Sequence, residues 1–377
     1  MPHASYDAIV LGAGGVGSAA MWQLARRGLR VLGIDRFHPP HDRGSSHGHT
    51  RIIRQAYFEH ADYVPLLLES YRLWEELEHL AGKELKRETG LVEIGPPDGV
   101  VVPGVLQAAA LHGLDVQRLT AEEIKRRWPA LRPPADSVGV FERRAGLLSV
   151  ERCVEACLNA ARAAGAELLA GVEALGWAAS DDIVVQTSAG EFRAEKLVIT
   201  AGAWAGQVLS ALNVKFQVRR IPLSWYAPTD SSTHADAGFP CYLFELPHGI
   251  FYGFPAIDQR GVKAAEHSGG DVIADPLHVD RGLTAEDQAP VDAFMQRHLP
   301  AVRTPCIEHA VCLYTMSPDE HFVVDRHPAD ERVVFAAGLS GHGFKFTPIL
   351  GRLLTELVVD GRTTLPAGFL SLARFAR

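Results

Sequence analysis

The stretch Tyr6-Asp-Ala-Ile-Val-Leu-Gly-Ala-Gly-Gly-Val-Gly17 decides the fold. Tyr6 to Leu11 is a short, mostly apolar run ending at a glycine, as expected of a strand buried on both faces. Gly12, Gly14 and Gly17 then have the spacing that permits a tight turn, the close approach of a pyrophosphate and close helix–strand packing. From Gly14 to Arg27, Val16, Ala19, Ala20, Leu24 and Ala25 recur at helical spacing, and Gly28 suits the position just past a helix end. Leu29 to Ile34 predicts a second strand, with Asp35 at its carboxyl end placed to accept hydrogen bonds from ribose hydroxyls. Strand, glycines, helix, strand and acid follow in order. They predict a βαβ unit holding a dinucleotide, its phosphates at the helix N-terminus, where free N–H groups and the dipole favour negative charge. This pattern does not separate FAD from NAD.

Further along, Lys196-Leu-Val-Ile-Thr-Ala-Gly202 and Val333-Val-Phe-Ala-Ala-Gly338 repeat the strand-to-glycine form. Three such elements so far apart predict one interrupted α/β, Rossmann-like domain over residues 1–85, 145–215 and 320–377. Residues 86–144 and 216–319 are then a substrate-binding α+β domain. Its sheet is expected to be mixed or antiparallel, given proline, aromatic and strand-forming segments such as Gly249-Ile-Phe-Tyr-Gly-Phe-Pro255. Tyr63–Leu80 predicts a long amphipathic helix, and Leu91–Gly95 alternates as a strand does. Thr120-Ala-Glu-Glu123 has the capping-box form, and Ser149 is placed to cap a helix through Ala163 that carries Cys153 and Cys157 one turn apart.

The chain has 377 residues, 47% apolar and 22% charged, the composition of an ordinary globular protein of about two domains. A net charge of -8 argues against nucleic acid or anionic membrane as the main partner. No apolar run approaches the ~18–20 residues of a membrane span, and the amino terminus has no basic region of the kind that opens an export signal. Five cysteines in a chain of this size read as free thiols in a reducing, cytoplasmic compartment.

Gly44-Ser-Ser-His-Gly-His-Thr-Arg-Ile-Ile-Arg54 brings two arginines, two histidines and three hydroxyls next to the nucleotide motif. Arginine offers a planar fork of donors matched to carboxylate or phosphate, so an anion is expected there. His47 and His49 with His38, His41 and His60 form a histidine-rich patch, but no cysteine or carboxylate ligand cluster joins them and no metal is expected. In Gly338-Leu-Ser-Gly-His-Gly-Phe-Lys-Phe346, Gly341 and Gly343 allow close backbone approach, and a following helix with Lys345 makes an anion-favouring corner. Cys312 stands alone between apolar residues, which by itself reads as a small core side chain.

Together these residues resemble the monomeric sarcosine oxidase and N-methyltryptophan oxidase family of flavoproteins, whose architecture is that of glutathione-reductase-like and D-amino-acid-oxidase-like proteins. The likeness runs from Tyr6 to about Leu357. It is carried by Gly12–Gly17, Ser46–Arg54 with Ala56-Tyr57, Arg127-Trp-Pro129, Gly249–Pro255, Val311–Thr315 with Asp319–Phe322, and Ala337–Phe346. The resemblance implies FAD held by Gly12, Gly14, Gly17, Asp35, Arg36, Ser45, Ser46, Thr50, Arg54, Val172, Gly202, Gly341, Gly343, Phe344 and Lys345, and bonded through the Cys312 sulfur. It implies that Arg51 and Lys345 hold a substrate carboxylate, that Lys263 lies where oxygen is activated, and that His47, Tyr252, His267 and Tyr314 line the pocket or touch the flavin. Two departures stand out. His49 replaces an aspartate usual in the sarcosine members, and Leu243 replaces a pocket methionine.

The implied activity is oxidation of a small secondary amino acid, sarcosine first, by a monomer using O2, with N-methyltryptophan and pipecolate as alternatives inside the family. Outside it stand an NAD-dependent dehydrogenase, a flavin dehydrogenase serving an electron carrier, and a non-enzymatic FAD-binding subunit. Lys263 speaks against the carrier-linked reading, and Arg51 with Lys345 against the non-enzymatic one.

Overall fold

The computed structural model describes residues 5–376. Residues 1–4 and Arg377 lie outside the described residues, and with them much of the amino terminus read for an export signal. Strand β1 (Ser5–Leu11), helix α1 (Gly15–Ala25) and strand β2 (Val31–Asp35) form the expected βαβ unit. The helix is shorter than its periodicity suggests; it ends at Ala25, and a turn through Gly28 at φ +84° leads into β2.

Five parallel strands run in the order Glu167–Ala170, β2, β1, Gly190–Ile199, Asp330–Ala337. Chain segments far apart thus return to one sheet, where Ala8–Leu11, β2, Leu197–Ile199 and Val333–Ala337 are mostly apolar and buried, as a doubly covered parallel position requires. Three antiparallel strands complete it: Ala174–Ala179, Ile183–Thr187 and Val323–His327. α1 is buried along its whole length. Its small residues let the helix Thr347–Thr355 approach so closely that a Cβ on Gly351 would lie 2.6 Å from the Ala19 carbonyl carbon.

A second, nine-stranded sheet is built from 91–142 and 217–316. It is mixed: Cys241–Leu246 runs parallel to Leu91–Gly95, and the other pairs are antiparallel. Its longest pairing, Gln217–Tyr226 with Glu308–Met316, sets Cys312 opposite Ile221, and Cys312 to Thr315 line the same cavity as Gly12 and Gly14. Strand β3 (Thr50–Ile53), Gly146–Ser149 and Lys86–Arg87 make a third, small sheet. Helix α2 (Tyr63–Ala81) fits its predicted span. Thr120 makes the full capping box with Glu123. Ser149 occupies the N-cap of Val150–Ala163, but its side chain makes no capping hydrogen bond; Ser149 is also the strand residue paired with Thr50. Among the described residues no helix is long and apolar enough to cross a membrane.

Candidate active site

The glycine motif opens onto one large cavity, about 1370 Å³ including its mouth. Gly12 adopts φ +87°, and a Cβ there would sit 2.5 Å from the Thr200 carbonyl oxygen, so only glycine makes this turn. Gly17 does not line the cavity. Its role is packing, since a Cβ would lie 1.7 Å from the Gly12 carbonyl oxygen. Gly12, Gly14, Asp35, Arg36, Ser45, Ser46, Val172, Gly202, Cys312, Gly341, Gly343 and Phe344 all line the wall. Asp35 closes the turn by accepting from the Ala13 N–H (2.7 Å) and the Phe37 N–H (2.8 Å), while the Gly15 N–H donates to Ser46 Oγ at 3.1 Å.

Three buried polar atoms on this wall have no partner among the described residues: one guanidinium nitrogen of Arg36, Trp204 Nε1 and Thr315 Oγ1. A buried unpaired donor costs about 1–3 kcal/mol. Set beside the N-terminus of α1 and the Asp35 carboxylate, these orphans fit a long polar ligand with phosphates and hydroxyls, as FAD is.

A smaller cavity adjoins it, and Arg51, Tyr314, Gly341 and Phe344 line both. Gly341, at φ +79°, sits so close to Tyr314 that a Cβ would come within 2.3 Å of the ring. The smaller cavity also gathers Arg54, Phe58, Glu59, Leu243, Tyr252, His267, His342 and Lys345. The Tyr252 and Tyr314 hydroxyls are 3.3 Å apart, and His267 Nδ1 lies 3.4 Å from the Tyr314 hydroxyl. Burial pushes His267 down to about 4 and both phenols up, so all three are uncharged at neutral pH.

Lys345 is pinned from α2, its carbonyl accepting from the Ser70 hydroxyl (2.5 Å) and Trp74 Nε1 (3.0 Å). Its ammonium donates to the His342 carbonyl at 2.8 Å and reaches the Tyr57 hydroxyl at 3.5 Å. Burial first, and then the neighbouring Arg54, lower Lys345 to about 7.

The two arginines of the Gly44–Arg54 stretch depart from their expected places to different degrees: Arg51 lines both cavities and Arg54 only the smaller one. Arg54 does not line the nucleotide cavity; its guanidinium faces the smaller one, paired with Glu59 (2.6 Å) and Glu93 (2.8 Å) and 4.3 Å from the Tyr57 ring centre. Arg51 turns to the nucleotide side, donating to the carbonyls of Thr50 and Ser45 at 2.8 Å each and to Cys312 Sγ at 3.0 Å. The reason is geometric: along an extended segment, residues an odd number apart point to opposite sides. Lys345 likewise lines the smaller cavity rather than the nucleotide one.

Three further expected residues stand behind the walls. Lys263 is 1% exposed and lines neither cavity; its ammonium donates to the Gly48 carbonyl (2.6 Å), the Thr50 carbonyl (3.1 Å) and Thr50 Oγ1 (3.2 Å). Thr50 therefore serves Lys263 and Arg51 and does not reach the nucleotide cavity. His47 is buried with Nε2 unpartnered, and burial followed by Arg51 lowers it to about 4. Among the described residues no three His, Cys, Asp or Glu side chains cluster to hold a metal ion.

Sequence reading did not single out Glu59, Glu93, Glu151 or the Tyr57–His342 pair, whose hydroxyl and Nδ1 are 2.5 Å apart. Glu93 and Glu151 reach the site from other sheets and helices and carry no local signal. Tyr57 and His342 lie inside the motifs that carry the resemblance, and their flanking residues marked the region.

Comparison with known proteins agrees with this architecture. A monomeric sarcosine oxidase of Streptomyces avermitilis is 41% identical, covering 99% of this chain and 98% of its own. An N-methyl-L-tryptophan oxidase of Yersinia pestis is 38% identical, covering 98% and 99%. Among solved structures, a Tyr258Phe mutant of NikD, described as an unusual amino acid oxidase essential for nikkomycin biosynthesis, superposes with a TM-score of 0.87 at 26% identity over 97% of each chain. The family of FAD-dependent oxidoreductases called DAO matches residues 7–357. With the glycine turn, the acid at the end of β2 and the two joined cavities in place, the chain belongs to the DAO family of FAD-dependent oxidoreductases.

Proposed function

We propose that the protein oxidises a small secondary amino acid, sarcosine first, to the imine, which water converts to glycine and formaldehyde while O2 becomes hydrogen peroxide. The amine C–H leaves as a hydride equivalent and the N–H as a proton, and O2 takes up two electrons and two protons. The carrying observation is that the two cavities share the wall of Arg51, Tyr314, Gly341 and Phe344, with the cations Arg54 and Lys345 lining the smaller one. A carboxylate held by Lys345 and Arg54 would direct the reacting carbon at that shared wall, which is catalysis by positioning. When bound, FAD supplies the two-electron acceptor between substrate and O2. The uncharged Tyr252, His267 and Tyr314 make a dry setting that favours the neutral, reactive amine. Phe58, Leu243 and Tyr252 give the smaller cavity apolar walls beside its cations; N-methyltryptophan and pipecolate are the alternatives to sarcosine.

In this reading residues 1–85, 145–215 and 320–377 seat FAD and residues 86–144 and 216–319 shape the substrate cavity. Asp35 takes the ribose, Val172 the adenine side, and the N-terminus of α1 the phosphates. The protein works as a cytoplasmic monomer, in keeping with the name of its relative and with five free cysteines. A peroxide-release screen over sarcosine, N-methyltryptophan, pipecolate, proline and glycine tests the substrate class. Sarcosine is expected to lead, and turnover of none of the secondary amines refutes the reading.

Cys312 is the proposed covalent anchor, lining the cavity with its sulfur held by Arg51. Acid precipitation should leave a yellow pellet, and Cys312→Ser should release all the flavin to the supernatant. A colourless pellet from the unaltered protein removes the assignment.

A further inference from the structure

Gly48, His49 and Thr50 form a three-residue turn, the Thr50 N–H donating to the Gly48 carbonyl at 2.8 Å with His49 at φ +69°. This form of turn is rare and strained, and a non-glycine residue at its centre persists only where its surroundings enforce it. The enforcement is visible. Glu151, in the first turn of the helix Val150–Ala163, accepts from both the Gly48 N–H (2.8 Å) and the His49 N–H (3.1 Å) through one carboxylate oxygen. The Val150 N–H donates to the His49 carbonyl at 3.0 Å. On the other side the His49 ring lies edge-on to Trp225 at 5.9 Å and within 3.0 Å of the Arg260 guanidinium.

What this turn presents is the point. The Gly48 carbonyl is the shortest acceptor of the Lys263 ammonium, and the Thr50 carbonyl is shared by Lys263 and Arg51. Relaxing the turn would swing both carbonyls and so release both cations. We propose that Glu151 is a positioning residue that acts through the Gly48–Thr50 turn, holding Lys263 behind the wall of the flavin site and Arg51 on it, and supplying the negative charge that offsets them. This rests on the reading of Lys263 as the cation that assists O2 reduction.

The charged and titratable groups around Lys263 are Arg51 from β3, His49 and Arg260 beside the turn, Cys241 from the Cys241–Leu246 strand, Cys312 from the Glu308–Met316 strand, and Glu151. Burial, then Arg51, lower the lysine, while Glu151 counters them. Burial alone would raise Glu151, but the His49 N–H and the cations hold it below the ordinary carboxylate range, so it is charged at neutral pH. Lysine is charged below its pKa, so O2 reduction should fall off as pH rises through that value. Without the Glu151 charge this limb moves to lower pH.

The test compares E151Q, E151A and K263M by stopped-flow measurement of both half-reactions, with hydrogen exchange of the peptide spanning Gly48–Thr50 as a readout independent of turnover. E151Q keeps the hydrogen-bond acceptor and loses the charge. It should leave exchange unchanged and move the limb of flavin reoxidation down by about one pH unit, with flavin reduction within about twofold. E151A should in addition expose the Gly48, His49 and Thr50 amides to exchange and slow reoxidation by about tenfold or more. Placing E151Q on K263M should change reoxidation by less than about twofold. Slow K263M with an unmoved E151Q profile overturns the Glu151 proposal alone. Normal reoxidation in K263M overturns the Lys263 reading and the Glu151 proposal with it. Should E151A not fold, E151Q and its double mutant decide.

Discussion

Lys263→Met is expected to slow flavin reoxidation by O2 about 10²–10³-fold, the effect of removing one preorganised positive group from a buried site. Flavin reduction by substrate should change little, because the residues proposed to hold substrate lie in the smaller cavity and Lys263 does not line it. Methionine nearly matches the stem in volume, so the packing against Trp225 and Phe254, whose ring centres lie 5.2 and 5.0 Å from the ammonium, is kept. The carbonyls of Gly48 and Thr50 lose a donor, and the variant should lose about 1–3 kcal/mol of stability, read as a lower Tm. The unaltered protein should reoxidise more slowly as pH rises through the lowered pKa of Lys263, and the variant should show no such limb. Equal slowing of both half-reactions would mean that Lys263 only supports the fold.

Lys345→Met is expected to lower kcat/KM by two to three orders of magnitude, mostly through KM, since truncating one partner of a buried charge pair costs about 2–5 kcal/mol. Among the described residues, two of the three donors of its ammonium are engaged, by His342 and Tyr57, which leaves the third for a carboxylate. The pH dependence follows with its sign. Lys345, lowered to about 7 by burial and Arg54, is charged below that pH and loses its proton as pH rises through it. Affinity for a non-oxidisable carboxylate such as propionate should therefore fall above about pH 7, with proton uptake on binding in that range. In Lys345→Met both effects should vanish, and a variant that binds propionate with the original pH profile would assign the clamp elsewhere. Arg54→Met is a harsher change, because it strands Glu59 and Glu93 without their partner, a loss of about 3–5 kcal/mol for a buried pair broken on one side.

How much of this was legible before folding depends on the range of the interaction. The turn at Gly12, the close contact at Gly17, the acid at Asp35 and the capping box at Thr120 are chemistry between near neighbours, so spacing alone reveals them. The mixed second sheet was legible in kind but not in order, since pairings such as Cys241–Leu246 with Leu91–Gly95 join segments that composition cannot match. The role of His49 was not legible at all. It stood out only as a departure from the family's aspartate, and its left-handed backbone shows only where Glu151, Trp225 and Arg260 close around it.

The sequence by itself determined the nucleotide-binding half and the set of side chains available for chemistry, because apolar runs and glycine spacings act over a few residues and need no distant partner. Only the tertiary structure decided that Arg51 turns to Cys312 while Arg54 joins Lys345, and that Lys263 stands behind a strained turn. Each of those choices is made by a carboxylate, carbonyl or sulfur brought from another sheet or helix, and where a buried cation points is set by the partners that offset its desolvation.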